Sequence, residues 1–181
     1  VGANLGTTIT GWLVTIIGFK LDLSALAIPA MGLGAIYSFF YSKNSKQKGL
    51  GLLFFAIGLL IFGLDTMKSS VAELADMFDP SQYVDMHSIV FLLMGVLFTA
   101  VIQSSSATMM ITLSALNAEL LTVPAAAAVI IGADLGTTST MLIGGLHGTS
   151  NKKRVAMSHV IFNLVTAFGA YVLLLPILPW M

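Results

Sequence analysis

The chain has 181 residues, 57% hydrophobic and 9% charged, with eight Lys and Arg against eight Asp and Glu. A soluble domain carries about 25% charged residues, so a chain of mean hydropathy +0.96 cannot cover its surface with polar groups, nor is it disordered. There is no basic field for nucleic acid, and the absence of Cys removes disulfides, thiolate metal sites and Cys nucleophiles.

What remains is an integral membrane protein with the lipid bilayer as its solvent. A hydrocarbon core of about 30 Å needs about 20 apolar helical residues, and backbone groups in lipid must be satisfied inside a helix. In chain order, residues 1–19 are Gly- and Thr-rich first and apolar afterwards. Residues 21–40 carry no charge after Asp22, and 49–64 extend without a break to about residue 67. Residues 86–102 form a third apolar run, ended by polar residues rather than by a loop. Residues 120–146 are long but hold Asp134 and a Thr cluster, and 155–178 form the last span. Short alternating strands, as an outer-membrane barrel requires, are absent from the pattern. The fold class is all-α.

Charges sit between the spans. Lys43, Lys46 and Lys48 fall in loop 41–48, and Lys152, Lys153 and Arg154 in loop 149–154. The positive-inside rule puts both loops in the cytoplasm. One crossing away, residues 65–85 hold Asp65, Glu73, Asp76, Asp79 and Asp85 against Lys68. That segment is expected to be an extracytoplasmic acidic loop, with a short amphipathic helix around 71–78. The expected location is the plasma membrane, the inner membrane if the source is bacterial, crossed several times.

The chain also repeats itself. Gly2-Ala3-Asn4-Leu5-Gly6-Thr7-Thr8-Ile9-Thr10 recurs as Gly132-Ala133-Asp134-Leu135-Gly136-Thr137-Thr138-Ser139-Thr140, with seven of nine positions identical. Small residues alone would let helices pack closely, but they do not explain the same ordered polar string twice. The first copy leads out from the cytoplasmic side, whereas the second ends at the basic loop near Lys152. The copies are therefore antiparallel, and inverted repeats with broken helices are the architecture of many secondary transporters. From outside at Asp85 to inside at Lys152 the crossings must be odd, yet two apolar stretches intervene. Parity is restored if residues 86–121 enter and return as a re-entrant helical hairpin, turning near Gln103 to Ser106.

At that turn stands Gln103-Ser104-Ser105-Ser106. Four consecutive polar side chains at membrane depth need partners, and a helix restarting after a break aims free N–H groups forward. Hydroxyls, amide N–H groups and a helix N-terminus make a site for an oxyanion such as phosphate. The competing reading is that the serines bond their own helix or glue two helices together. No Lys or Arg lies inside an apolar span, so a multivalent anion there calls for a co-bound cation. Asn4, Asp134 and neighbouring hydroxyls are oxygen ligands suited to Na⁺. Asp134, the sole carboxylate within a span, is a functional candidate by position.

Gln103-Ser104-Ser105-Ser106-Ala107-Thr108, followed by Gly132-Ala133-Asp134-Leu135-Gly136-Thr137-Thr138, resembles the second repeat of the type II sodium-dependent phosphate cotransporters. Residues 1–10 resemble the end of the matching first-repeat motif. The resemblance covers essentially the whole chain and implies symport of inorganic phosphate with Na⁺ by alternating access. It implies that Gln103, Ser104, Ser105 and Ser106 contact phosphate or sodium, and that Asn4, Thr7, Thr8, Thr137 and Thr138 line the sites. Asp134 departs from the usual Asn of that pattern and bears on the charge moved per cycle. The resemblance also implies that the first repeat's Gln-Ser-Ser-Ser precedes residue 1, as a partner segment of the same protein. Residues 1–181 then form one transport domain, with 1–64 ending the first repeat and its following spans, 65–85 the acidic loop, and 86–181 the second repeat.

No nucleophile, base and orienting group converge, and no Walker-type loop is present, so no enzyme and no organic cofactor are expected. His87 and His147 fall near the expected interfaces. His159 precedes Asn163 by one helical turn and is expected to join an interhelical hydrogen bond. The alternatives are a carrier of another oxyanion or a dicarboxylate, or a channel or structural membrane subunit. An oligomer is compatible with all of them.

Overall fold

The computed structural model describes residues 2–13, 15–16, 24–41, 43–75 and 86–177. Among the described residues there is no strand. The helices are α1 (Gly2–Leu13), α2 (Ser24–Phe40), α3 (Ser45–Ala75), α4 (Ser88–Ile102), α5 (Ser105–Asn117), α6 (Val123–Gly136), α7 (Thr138–Leu146) and α8 (Ser150–Leu174). The chain divides into two compact units, Ile9–Ser70 and Val1–Thr8 with Val71–Met181.

In the Ile9–Ser70 unit, α2 and α3 run antiparallel, because Gly58 meets Ala27 and Met31 while Gly51 meets Ser38. The backbones approach so closely that a Cβ on Gly58 would stand 2.7 Å from the Ala27 carbonyl oxygen. Small residues at the crossing are how helices associate where lipid supplies no hydrophobic drive. α3 does not stop at Leu64. It runs on through Asp65, Lys68 and Glu73, where the sequence suggested a loop. No Gly or Pro interrupts 64–75, and Met, Lys, Ala, Glu and Leu are good helix formers, so the charges ride on a continuing helix. The amphipathic helix expected around 71–78 is the end of α3 as far as Ala75; Asp76, Asp79 and Asp85 lie outside the described residues.

The other unit is built on α4 and α6. Gly132 lies between Leu92 and Val96, Gly136 on Val96 and Thr99, and Gln103 reaches Ser139 and Thr140, so residue numbers rise together and the two helices are parallel. A Cβ on Gly132 would run into the Leu92 carbonyl oxygen. Phe91, Leu92, Ala125, Ala128, Val129 and Leu174 form the buried cluster beside this crossing. α4 has 15 residues and α5 has 13, about 22 Å and about 20 Å of helix. Each is too short for a 30 Å core, and between them the chain turns back, so that α6 repeats the direction of α4. This is the expected re-entrant hairpin.

Val123–Leu146 and Ser150–Leu174 are both long and apolar enough to span. α8 returns antiparallel: Ala156 meets Gly145, Asn163 meets Asp134 and Thr137, and Tyr171 packs on the cluster near the start of α4. A bond of 2.7 Å between Ser88 Oγ and Tyr171 OH joins those ends. The basic residues Lys152 to Arg154 start α8 at the opposite end, as the parity count demands. His87 caps α4, its Nδ1 accepting the Ile89 N–H at 3.3 Å. Thr122 caps α6, with Pro124 in the first turn. Leu97, Val101, Val165 and Phe168 are exposed and form a surface suited to lipid.

Candidate functional site: the hairpin tip and the interrupted helix

α4 ends because Gln103 turns left-handed, with φ 62° and ψ 23°, its N–H donating to the Thr99 carbonyl at 2.7 Å. That conformation costs a non-glycine residue about 1–2 kcal/mol, and such strain tends to persist where surrounding contacts over-determine it. Here the side chain supplies them. Gln103 Nε2 donates to the Ala100 carbonyl at 2.6 Å and reaches Ser139 Oγ at 3.4 Å, while Oε1 accepts from Thr140 Oγ1 at 2.8 Å. The tip of the hairpin is thus tied to the end of the second polar string.

Ser104 is extended and caps α5, its Oγ accepting the Ala107 N–H at 3.3 Å. Ser105 and Ser106 follow as the first two residues of α5, whose N–H groups have no acceptor within the helix. Their side chains are half-buried and make no hydrogen bond among the described residues. Behind them Thr99 Oγ1 donates to Thr108 Oγ1 at 2.9 Å, both buried, and Thr108 Oγ1 donates to the Ser104 carbonyl at 3.2 Å. This chain of hydroxyls holds α4 and α5 together just below the tip. A helix N-terminus with two uncommitted hydroxyls favours an anion.

The second polar string interrupts a helix in another way. Thr137, Thr138 and Ser139 each donate to the carbonyl three residues back, at 2.6, 2.7 and 2.8 Å. Back-bonding of this kind competes with the helical ladder, and α6 gives way to α7 at Thr137. In the first copy Thr8 Oγ1 likewise donates to the Asn4 carbonyl, at 3.0 Å. A hydroxyl that donates keeps its lone pairs. Thr137 Oγ1 accordingly also accepts from Asn163 Nδ2 at 3.1 Å.

Asn163, fully buried on α8, is where the pieces meet. Its Nδ2 donates to the Asp134 carbonyl at 3.1 Å and lies 3.2 Å from His159 Nε2, and its Oδ1 accepts from Asn4 Nδ2 at 3.4 Å. Asn4 and Asp134 occupy the same position of the two repeat copies, and both line one open cleft of about 270 Å³ with Ile131, Phe162, Thr166 and Ala167. Asn4, Asp134 and Thr166 supply hard oxygen donors there.

The expected site residues therefore fall into two places. Gln103 to Ser106 form the hairpin tip, and Asn4 and Asp134 face the cleft. Thr7, Thr8, Thr137 and Thr138 do not line that cleft; Thr137 joins it to the rest through Asn163. Among the described residues no group of three His, Asp or Glu is placed to hold a metal ion. Sequence reasoning missed Asn163, Ser139 and Thr140 as site residues. The available signal for Asn163 was that it is the one Asn in the apolar run 155–178.

The chain is 28% identical over 167 residues to the Bacillus subtilis protein YqeW, covering 91% of this chain and 52% of that one. It is 25% identical to the "putative inorganic phosphate export protein YjbB" of Escherichia coli K12, covering 91% and 30%. It is 34% identical over 106 residues to the human "sodium-dependent phosphate transport protein 2B", covering 55% and 15%. The chain thus spans about half the length of the first of these and less of the others. No solved structure matches it. The Na⁺/Pi-cotransporter family model matches residues 1–69 and 82–176, and the chain belongs to that family.

Proposed function

We propose that this chain forms the part of a carrier that moves inorganic phosphate across a membrane together with Na⁺, by alternating access. The observation that carries the reading is the hairpin tip, where two half-buried hydroxyls with no hydrogen-bond partner among the described residues stand at the N-terminus of α5. Phosphate would bind against Ser105, Ser106 and the free N–H groups, with Ser104 capping and Gln103 fixing the tip on Ser139 and Thr140. With no Lys or Arg in the apolar spans, the anion's charge needs a mobile cation, because helix dipoles of about half a charge do not neutralise it. Na⁺ would be held by Asn4, Asp134 and Thr166 at the cleft, a short distance in sequence from the string that anchors Gln103. Sodium is then a co-substrate, and loops 41–48 and 149–154 face the cytoplasm.

One relative is named for phosphate export and another for sodium-dependent phosphate transport. A coupled carrier reconciles them, since net flux follows the combined gradients: an inward Na⁺ gradient drives phosphate in, and its absence lets phosphate leave. The alternative of exit without sodium is separated by binding. Radiolabelled phosphate is titrated onto the purified full-length gene product in Na⁺ or in K⁺. Saturable binding that needs Na⁺ and is lost in Ser105→Ala with Ser106→Ala supports the reading. Sodium-indifferent binding removes the coupling, and binding that survives both substitutions removes the site.

A further inference from the structure

We infer that His159 is the positioning residue that orients the Asn163 carboxamide and thereby holds the two repeat copies together across the cation cleft. The assignment deepens the proposed function and rests on it only for the sodium readout.

The chemistry begins with the carbonyl of Asp134. A backbone carbonyl only accepts, so the end of Asn163 that lies 3.1 Å from it is the NH₂ group. The other end is then the oxygen, which agrees with its acceptance of Asn4 Nδ2 at 3.4 Å. Thr137 Oγ1 gives its own hydrogen to the Asp134 carbonyl at 2.6 Å, so toward Asn163 it is an acceptor as well. Those two acceptors match the two amide hydrogens, so His159 Nε2, 3.2 Å from the same NH₂ group, meets it with a lone pair that shares one of them. In that tautomer the ring hydrogen sits on Nδ1. A His turned to present a donor would oppose the NH₂ group and favour the flipped amide, which would face the Asp134 carbonyl with its oxygen.

The consequence reaches the cleft. With Asn163 as found, its amide hydrogens go to the second copy (Asp134, Thr137) and its oxygen to the first copy (Asn4). Flipping breaks both sides at once. Asn4 and Asp134 are the two polar groups that the repeat places in the cleft, and one amide bridges them, its orientation set by the Asp134 carbonyl and reinforced by the His159 lone pair. Outer groups that orient the ligands of a cation typically change its affinity by about 10–100-fold when removed.

Three substitutions distinguish acceptor chemistry from bulk. His159→Gln keeps an acceptor at similar reach, His159→Leu removes it, and His159→Lys presents donors only. The first measurement needs no sodium. Thermal melting of the full-length gene product in K⁺ is compared for His159→Leu, Asn163→Leu and the double variant. Strong non-additivity, the double variant melting close to Asn163→Leu alone, is expected for residues acting as a unit; additive losses would overturn the assignment. The second is the Na⁺ concentration for half-maximal phosphate uptake. His159→Leu and His159→Lys are expected to raise it about tenfold at an unchanged phosphate requirement, and His159→Gln to restore it. A merely structural role would lower the amount of active carrier and leave the sodium requirement alone, and that result, or Lys behaving as Gln, would contradict the inference. A wild-type protein indifferent to Na⁺ would overturn the proposed function instead, and His159 would then stand or fall on the melting cycle.

Discussion

The two compact units pack their helices by the same device and differ in what they bury. Gly34, Gly51 and Gly58 bring α2 against α3, as Gly95, Gly132 and Gly136 bring α4 against α6. Yet the buried polar side chains among the described residues, Thr99, Thr108, Thr112, Ser114 and Asn163, all lie on α4, α5 and α8. In the α2–α3 pair the hydroxyls of Ser38 and Thr66 instead bond their own helix, at 3.2 and 2.9 Å. Close glycine crossings are therefore the general cement of this protein. Buried side-chain hydrogen bonds between elements, those of Thr99, Thr108 and Asn163, distinguish the unit built on α4 and α6, while Thr112 bonds its own helix and Ser114 Oγ has no partner among the described residues.

That contrast can be broken most severely at the crossings. Gly132→Val would drive a side chain into the Leu92 carbonyl, costing about 3 kcal/mol or more, and should abolish the monodisperse detergent-solubilised protein on gel filtration. Gly63→Ala, where a new Cβ meets nothing within 4 Å, should leave melting within about 0.5 kcal/mol of wild type. At the tip the effect should fall on transport and spare the fold. Ser105→Ala or Ser106→Ala each removes one hydroxyl facing an anion, about 1.5–3 kcal/mol, so kcat/KM for phosphate should drop about 10–100-fold at unchanged melting temperature.

Smaller effects sharpen the comparison. Asp134→Asn makes the second copy match the first, and the Na⁺ concentration for half-maximal uptake should rise about tenfold while the phosphate requirement changes little. Thr99→Val deletes a buried bond between α4 and α5 and should cost about 1 kcal/mol on melting. Ser38→Ala, which deletes only a local back-bond, should cost less than about 0.5 kcal/mol. Equal losses for Thr99→Val and Ser38→Ala would erase the distinction between the two units.

Much of this was legible in the sequence, for local reasons. The hairpin follows from two short apolar runs, a polar string between them and a parity count fixed by basic loops. The turn at Gln103 and Ser104 falls inside the stretch 103–106 where it was expected. The repeat was legible because it is a literal recurrence, and Asn4 and Asp134 do share a cleft. The extent of α3 was not, because the charges of 65–85 suggested a loop with a separate short helix around 71–78, when beyond the lipid it is backbone propensity that decides. Gln103 was read as a contact for phosphate or sodium; that its amide also bonds Ser139 and Thr140, 36 and 37 residues away, was not legible. Asn163 was hidden for the same reason. Its partners beyond its own helix lie 26, 29 and 159 residues off, and no periodicity announces partners that distant.

The most direct test is uptake of radiolabelled phosphate into proteoliposomes holding the full-length gene product, under an inward Na⁺ or K⁺ gradient, with Ser105→Ala and Ser38→Ala compared. Coupled transport through the hairpin tip predicts uptake that requires Na⁺, is lost in Ser105→Ala and persists in Ser38→Ala. Equal uptake under both gradients, or an undiminished rate in Ser105→Ala, would contradict it.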